Sequence, residues 1–221
     1  MKKLKKNALI VSCQAEEGEP LFGNSTMVKM AIAAQMGGAD AIRTLSPHMV
    51  EEIKKVIDLP IIGITKNRNL KGAFITVTEK DIEDLARAKA DFIALDCTRR
   101  ERPQPLPELF SYLNNKYPDI GIIADIGDLE DVKNVIPLRP DYIATTLSGY
   151  TDYTRDRPRP DLDLISEIIK ITDIPVIAEG NYSTPQQARI AILRGAHAVT
   201  VGAAITRPQV ITRNFKDYLT D

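Results

Sequence analysis

Eight short apolar runs punctuate the sequence. Seven of them end on polar side chains: Gln14, Arg43, Lys66, Asp96, Asp125, the pair Thr145/Thr146, and Glu179. The eighth ends on Gly202. An apolar strand gains nothing by ending in a buried charge, because an unpaired one costs several kcal/mol. Titrating groups that couple to one another gather at functional sites, so these ends read as one site. A lysine in such company can take a proton next to a carbonyl if burial or a nearby cation, here Arg43, makes it less basic. The same lysine can instead form a Schiff base. Asp125 and Glu179 are carboxylates of the kind either route uses. Gln14 and Arg43 either offer donors to a ligand or pair with each other across neighbouring strands. Asp96 either caps the segment after its own run or orients Lys66.

That reading requires the runs to converge. They occupy residues 8–14, 40–43, 60–66, 92–96, 120–125, 142–146, 175–179 and 198–202, and their starts lie about 27 residues apart on average. Each is rich in Ile, Val and Ala, as strands buried on both faces are. Charged segments of helical length lie between them. Residues 50–57 are apolar at 50, 53, 56 and 57, which is one helical face, and 82–88 and 164–171 read similarly. Thr78, and Ser183/Thr184 before Pro185, mark helix starts. Gly37-Gly38 and Gly195 mark helix ends. Eight strand–helix units predict a closed (β/α)8 TIM barrel, a single α/β domain over residues 1–221. An open doubly wound sheet fits less well, because Glu-Glu-Gly-Glu-Pro follows the first run instead of a G-x-G-x-x-G turn. In the barrel, the C-terminal strand ends converge on one mouth.

The last two units add a second signal. The seventh run continues Ala178-Glu179-Gly180-Asn181, and the eighth Val201-Gly202-Ala203-Ala204-Ile205, followed by Thr206-Arg207-Pro208. Small residues let backbone N–H groups approach an anion, and loops at these two strands often hold phosphate in this fold. Arg207 adds a guanidinium fork. A phosphate cradle, an amine, carboxylates and amide donors together suit proton abstraction beside the carbonyl of a small phosphorylated sugar.

Composition narrows the alternatives. The chain has 221 residues, with 29 basic against 30 acidic, so no broad nucleic-acid-binding field is expected. The two cysteines, Cys13 and Cys97, form no disulfide framework and read as buried fillers in a reduced, cytoplasmic protein. His48 and His197 lack metal-ligand spacing; the first reads as surface, the second as lying at the entrance of the last strand, away from the chemistry. No metal or cofactor is expected. Four lysines precede the first run, but that run is too short for a signal core, and no run is long enough to span a membrane. The stretch 99–107, with Arg99, Arg100 and Arg102, reads either as a loop able to fold over the mouth or as a solvated charge run. Ile211, Phe215 and Tyr218 near the C-terminus pack on the barrel or on a second subunit, a possible homodimer.

Six segments carry a family resemblance: LIVSCQA over 9–15, LPIIGI over 59–64 followed by Lys66, IALDCT over 93–98, TTLSGYT over 145–151, PVIAEG over 175–180 and VGAAITRP over 201–208. In this order and spacing, over nearly the whole chain, the sequence resembles the bacterial N-acetylmannosamine-6-phosphate 2-epimerases. The resemblance implies a phosphosugar-binding barrel and a cofactor-independent isomerase. That enzyme interconverts N-acetylmannosamine 6-phosphate and N-acetylglucosamine 6-phosphate in sialic-acid and amino-sugar catabolism. It implies Lys66 as acid/base at C2, with Glu179 as its partner in ring opening or proton relay. It implies Gln14, Arg43 and Asp125 as holding the sugar and its acetamido group, and Gly180, Asn181, Gly202, Ala203 and Arg207 as holding the phosphate. Asn181 stands where relatives are expected to carry a basic residue. Two rivals share the barrel: a Schiff-base aldolase using Lys66, and a catalytically silent phosphosugar sensor.

Overall fold

The structure, a computed structural model, describes residues 3–67 and 74–219. Eight parallel strands run β1 (Ala8–Cys13), β2 (Ala41–Leu45), β3 (Ile61–Ile64), β4 (Phe92–Asp96), β5 (Gly121–Asp125), β6 (Tyr142–Ala144), β7 (Val176–Glu179) and β8 (Ala198–Val201). They pair in sequence order, and β8 returns to β1, which closes the barrel. The helices are α1 (Asn24–Met36), α2 (Pro47–Lys54), α3 (Glu79–Arg87), α4 (Leu106–Lys116), α5 (Leu129–Val135), α6 (Leu162–Ile168), α7 (Pro185–Leu193), α8 (Ala203–Thr206) and α9 (Pro208–Tyr218).

Successive strand residues point to opposite faces, so one parity of each strand fills the barrel and the other meets the helices. Ile42, Ile61, Ile93, Leu95, Ala124, Val176 and Val199 belong to the outer cluster with the helices. Ile10, Ala41, Ile62, Phe92, Ile123 and Ile177 belong to the inner one. Following that inner parity upward leads from Ala41 to Arg43, from Ile62 and Ile64 to Lys66, from Ile123 to Asp125, and from Ile177 to Glu179. The polar strand ends therefore share the inward-facing parity.

The opposite end of the barrel is closed. Phe92 meets Tyr142 edge-on, with ring centroids 5.8 Å apart, and Gly121 leaves Phe92 its room, since a side chain there would strike the ring. Leu4 N–H donates to the Tyr142 hydroxyl at 3.0 Å, and the His197 ring meets the Leu4 carbonyl at 3.1 Å. His197 thus belongs to the non-catalytic end, and His48 is exposed on α2.

Thr78 and Thr184 each form a capping box, with Asp81 and Gln187 respectively, so both helix starts follow from short polar signals. Gly38 and Gly195 take positive φ after α1 and α7, where a Cβ is strained. Several boundaries differ from those read in the sequence. Strand β2 continues two residues past Arg43, because Thr44 and Leu45 still pair with Gly63 and Ile64. Lys66 and Thr146 lie beyond β3 and β6, in loops rather than strands. Helix α2 ends at Lys54, leaving Val56 exposed while Ile57 turns into the core.

Candidate active site

Arg43 is the centre of the mouth. Its side chain is 1% exposed and forks onto Asp125, with Nη1 donating to Oδ1 at 3.1 Å and Nη2 to Oδ2 at 2.5 Å. Nη1 also lies 3.2 Å from Glu179 Oε2. Planar bidentate geometry makes this an Arg-specific seat. Thr146 Oγ1 donates to Asp125 Oδ1 at 2.7 Å. Thr145 Oγ1 accepts from Glu179 N–H at 3.0 Å and donates to the Glu179 carbonyl at 2.9 Å, which fixes the end of β7. The pairing of Gln14 with Arg43 does not occur: Gln14 Nε2 donates to Ser12 Oγ at 2.8 Å.

Burial raises Glu179 to about 6, against the pull of the Arg43 cation and with the help of the Asp125 anion. Its Oε2, together with Arg43 Nε and Thr200 Oγ1, is buried without a hydrogen-bond partner. Such orphaned polar atoms are costly in a folded core. Here Arg43, Glu179 and Thr200 all line the cavity at the mouth.

Lys66 is held by an antiparallel pairing of residues 65–67 with 74–76. It bridges Ile75 in antiparallel fashion, Thr76 N–H donates to the Thr65 carbonyl at 3.2 Å, and Asn67 N–H donates to the Phe74 carbonyl at 3.1 Å. Its ammonium pairs with Glu16, two residues past Gln14 in the loop after β1. The sequence offered no specific signal for that partnership.

A cavity of about 900 Å³ opens over these groups, and Arg43, Lys66, Glu179, Gly180, Asn181 and Arg207 are on its wall. Asp125 is not: it is fully buried beneath Arg43 and reaches the cavity only through Arg43 and Thr146. The resemblance implies that Asp125 holds the sugar; in the structure its carboxylate meets the Arg43 guanidinium and the Thr146 hydroxyl, both of which belong to residues on the cavity wall. A second cavity of about 340 Å³ adjoins the first at Gln14 and Lys66 and is lined largely by apolar groups, among them Ala15, Met27, Leu45 and Met49.

The phosphate-side residues come together as two backbone corners. Gly180 and Asn181 both take positive φ, 117° and 58°. Gly202 is the residue before α8, whose first N–H groups, starting at Ala203, have no partner within the helix. Arg207 does not stand free: its Nη2 donates to Glu19 Oε2 at 3.1 Å, and its Nε lies 3.0 Å from Oε1. Asn181 Nδ2 donates to the Tyr150 hydroxyl at 2.9 Å. Tyr150 and Arg159, both on the wall, come from the long loop after β6, where no spacing rule points to them.

In the stretch 99–107 the three arginines are tied to neighbouring carboxylates and carbonyls. Arg99 N–H donates to Asp131 Oδ1 at 3.0 Å and its guanidinium to Asp128 at 2.7 Å. Arg100 donates to Asp96 Oδ2 at 2.6 Å, and Arg102 to the Asp96 and Thr98 carbonyls. Asp96 also accepts from Thr98 N–H at 3.0 Å, so it caps its own loop and does not orient Lys66. Cys97 and Cys13 are buried, and burial pushes both thiols up, Cys13 to about 12, which leaves neither as a nucleophile. Among the described residues, no three His, Cys, Asp or Glu side chains gather as a metal site. No helix of the described residues is long and apolar enough to cross a membrane.

Comparison with known proteins follows the same lines. Residues 27–221 match the family described as "Putative N-acetylmannosamine-6-phosphate epimerase". The chain belongs to this family. A Shouchella clausii member named "Putative N-acetylmannosamine-6-phosphate 2-epimerase" is 45% identical over 99% of this chain and 98% of its own. A Staphylococcus aureus member of the same name is 42% identical over 97% and 99%. The solved structure of the N-acetylmannosamine-6-phosphate 2-epimerase from Clostridium perfringens aligns with a TM-score of 0.92 and 41% identity, covering 97% of this chain and 94% of that one. A tryptophan synthase α-subunit from Pyrococcus furiosus shares the fold alone, at TM-score 0.66 and 15% identity.

Proposed function

We propose that this chain is a cofactor-independent isomerase. It interconverts N-acetylmannosamine 6-phosphate and N-acetylglucosamine 6-phosphate by moving the proton at C2, in the breakdown of sialic acids and amino sugars. The observation that carries the reading is one cavity with Lys66 and Glu179 on its wall and two glycine-cornered loops beside them. Ring opening exposes the C1 aldehyde, which acidifies the C2 proton. One member of the Lys66–Glu179 pair takes that proton and the other returns one to the opposite face. Arg43, fixed from below by Asp125, presents its unpartnered Nε–H to the oxygen that gains charge. Backbone N–H groups around Gly180, Asn181, Gly202 and Ala203 hold the phosphate together with Arg207, and Gln14 holds the acetamido group, whose methyl lies toward the smaller apolar cavity.

The whole of residues 1–221 serves this one barrel. A reduced cytoplasmic setting suits its two buried, unpaired thiols. A second copy of the chain suits α9, where Phe215 and Tyr218 are 71% and 87% exposed. Small sugar phosphates are its partners, with no nucleic acid.

Proton NMR of N-acetylmannosamine 6-phosphate with the protein in D2O tests the reading. The expected result is N-acetylglucosamine 6-phosphate carrying deuterium at C2. Lys66→Ala is expected to lower kcat by about 10³-fold or more, within the range of acid–base catalysis. Unchanged turnover in that variant removes Lys66 from the mechanism. A substrate that stays unaltered while bound removes the epimerase reading.

A further inference from the structure

Each cation on the wall of the mouth but one already has a carboxylate partner. Arg43 has Asp125 and Glu179, Lys66 has Glu16, and Arg207 has Glu19. Arg159 lines the same cavity, and no carboxylate among the described residues lies within ion-pair distance of it. It is nevertheless held in place. Its guanidinium carbon sits 4.6 Å from the centroid of the Tyr150 ring, a cation–π stack, and its Nη2 donates to the Gly149 carbonyl. A side chain at Gly149 would collide with that guanidinium, and Gly149 takes a φ of +79°. The Tyr150 hydroxyl in turn accepts from Asn181, next to Gly180. The long loop after β6 thus carries a seated, uncompensated cation to the corner formed by the loop after β7.

We infer that Arg159 is a substrate-specificity residue: it binds the phosphate of the sugar phosphate and sets the preference for phosphorylated over unphosphorylated sugars. The inference rests on the epimerase reading above for the identity of the sugar, though not for the anion. A phosphate monoester carries nearly two negative charges at neutral pH and accepts a guanidinium fork. A cation already paired must give up its partner to serve it; Arg159 has no ion pair to give up. The stack on Tyr150 leaves the edge of the fork free, since one face of the plane is covered and one N–H is used on Gly149.

Two measurements on the whole protein test this. The first is kcat/KM for N-acetylmannosamine 6-phosphate divided by that for N-acetylmannosamine, in wild type and Arg159→Gln. The ratio is expected to fall about 10-fold, chiefly through KM for the phosphorylated sugar. The second is titration with inorganic phosphate by calorimetry, where Arg159→Gln is expected to weaken binding by a similar factor. Thermal unfolding of the variant at the wild-type temperature shows that the loop is intact; if the glutamine variant melts early, Arg159→Lys, which retains the charge, should keep at least part of the ratio. An unchanged ratio with unchanged phosphate affinity overturns the proposal, as does an equal loss on both sugars. A wild-type protein that turns over neither sugar, yet binds phosphate in an Arg159-dependent way, sinks the epimerase reading and leaves the anion site standing.

Discussion

The two halves of the barrel mouth are built from the same residue types and treat them differently. Over β4 and β5, Asp96, Asp128 and Asp131 face Arg99, Arg100 and Arg102, and the groups close on one another through short contacts within and between neighbouring loops. On the other side, Arg43 of β2, Glu179 of β7 and Thr200 of β8 keep buried polar atoms without hydrogen-bond partners among the described residues, and Arg159, from the loop after β6, has no carboxylate among them within ion-pair distance. Asp96 and Asp125 make the contrast sharpest, because they are register partners on adjacent strands and both fully buried. Asp96 is served by its own loop, from Thr98 and Arg100. Asp125 is served across the barrel, by Arg43. The density of charge at strand ends therefore does not by itself define a site; the site is where charge is left open to a ligand.

The largest effect expected from this difference lies at Asp125. Asp125→Asn leaves the buried Arg43 with Glu179 alone, and breaking a buried ion pair from one side costs about 3–5 kcal/mol. Denaturant unfolding is expected to show that loss together with near-complete loss of turnover. Asp96→Asn keeps an acceptor for Thr98 and removes the carboxylate charge from the partly exposed Arg100 and from Arg102, which retains its two carbonyl acceptors, so about 1–3 kcal/mol is expected, with KM for the sugar phosphate unchanged. Equal losses of stability and activity in the two variants would erase the distinction between the halves.

Next in size is Glu179. Its pKa of about 6 against an ordinary 4.5 means that the folded state holds the proton more tightly than the unfolded chain. The contribution to stability is therefore full below 4.5 and is lost as pH rises through 6. Relative to Glu179→Gln, wild type should lose about 2 kcal/mol across that window. Activity runs the other way. Below 6 Glu179 carries a proton while Lys66 is an ammonium paired with Glu16, so the pair has no acceptor. The kcat/KM of wild type is expected to rise as pH increases through about 6. A flat profile from 5 to 7.5 would take Glu179 out of the proton transfer.

How much of this was legible beforehand follows from what sets each feature. The inward parity that carries Arg43, Lys66, Asp125 and Glu179 is a two-residue period, written into each strand and readable one strand at a time. The capping threonines and helix-ending glycines are equally local. Partner choice is not. Arg207 meets Glu19 across 188 positions and Arg43 meets Asp125 across 82, and only the closed barrel decides which charges are satisfied. The seating of Lys66 on Glu16 and of Arg159 on Tyr150 depends on loop paths after β1 and β6 that no periodicity constrains. The arginines of 99–107 divide along the same line: Arg100 and Arg102 turn back onto Asp96 of their own unit, while Arg99 reaches Asp128 and Asp131 of the next.

The smallest expected effect probes the closed half alone. Asp131 is buried and accepts from Gly127 N–H at 2.9 Å, from Arg99 N–H at 3.0 Å and from the Tyr153 hydroxyl at 2.9 Å, so one carboxylate joins the loops after β4, β5 and β6. Tyr153→Phe removes one hydrogen bond from that knot while keeping the ring under Arg99, whose guanidinium carbon lies 3.6 Å from its centroid. Asp131 retains its backbone donors, so the loss should be about 1 kcal/mol, near the value for a single hydrogen bond. Chemical denaturation measures it. Because the knot has no atom on the wall of the mouth, kcat/KM and its dependence on pH should stay at wild-type values. A shift in KM for the sugar phosphate would mean that the two halves are coupled through the loop after β6, the loop that also carries Tyr150 and Arg159 to the cavity.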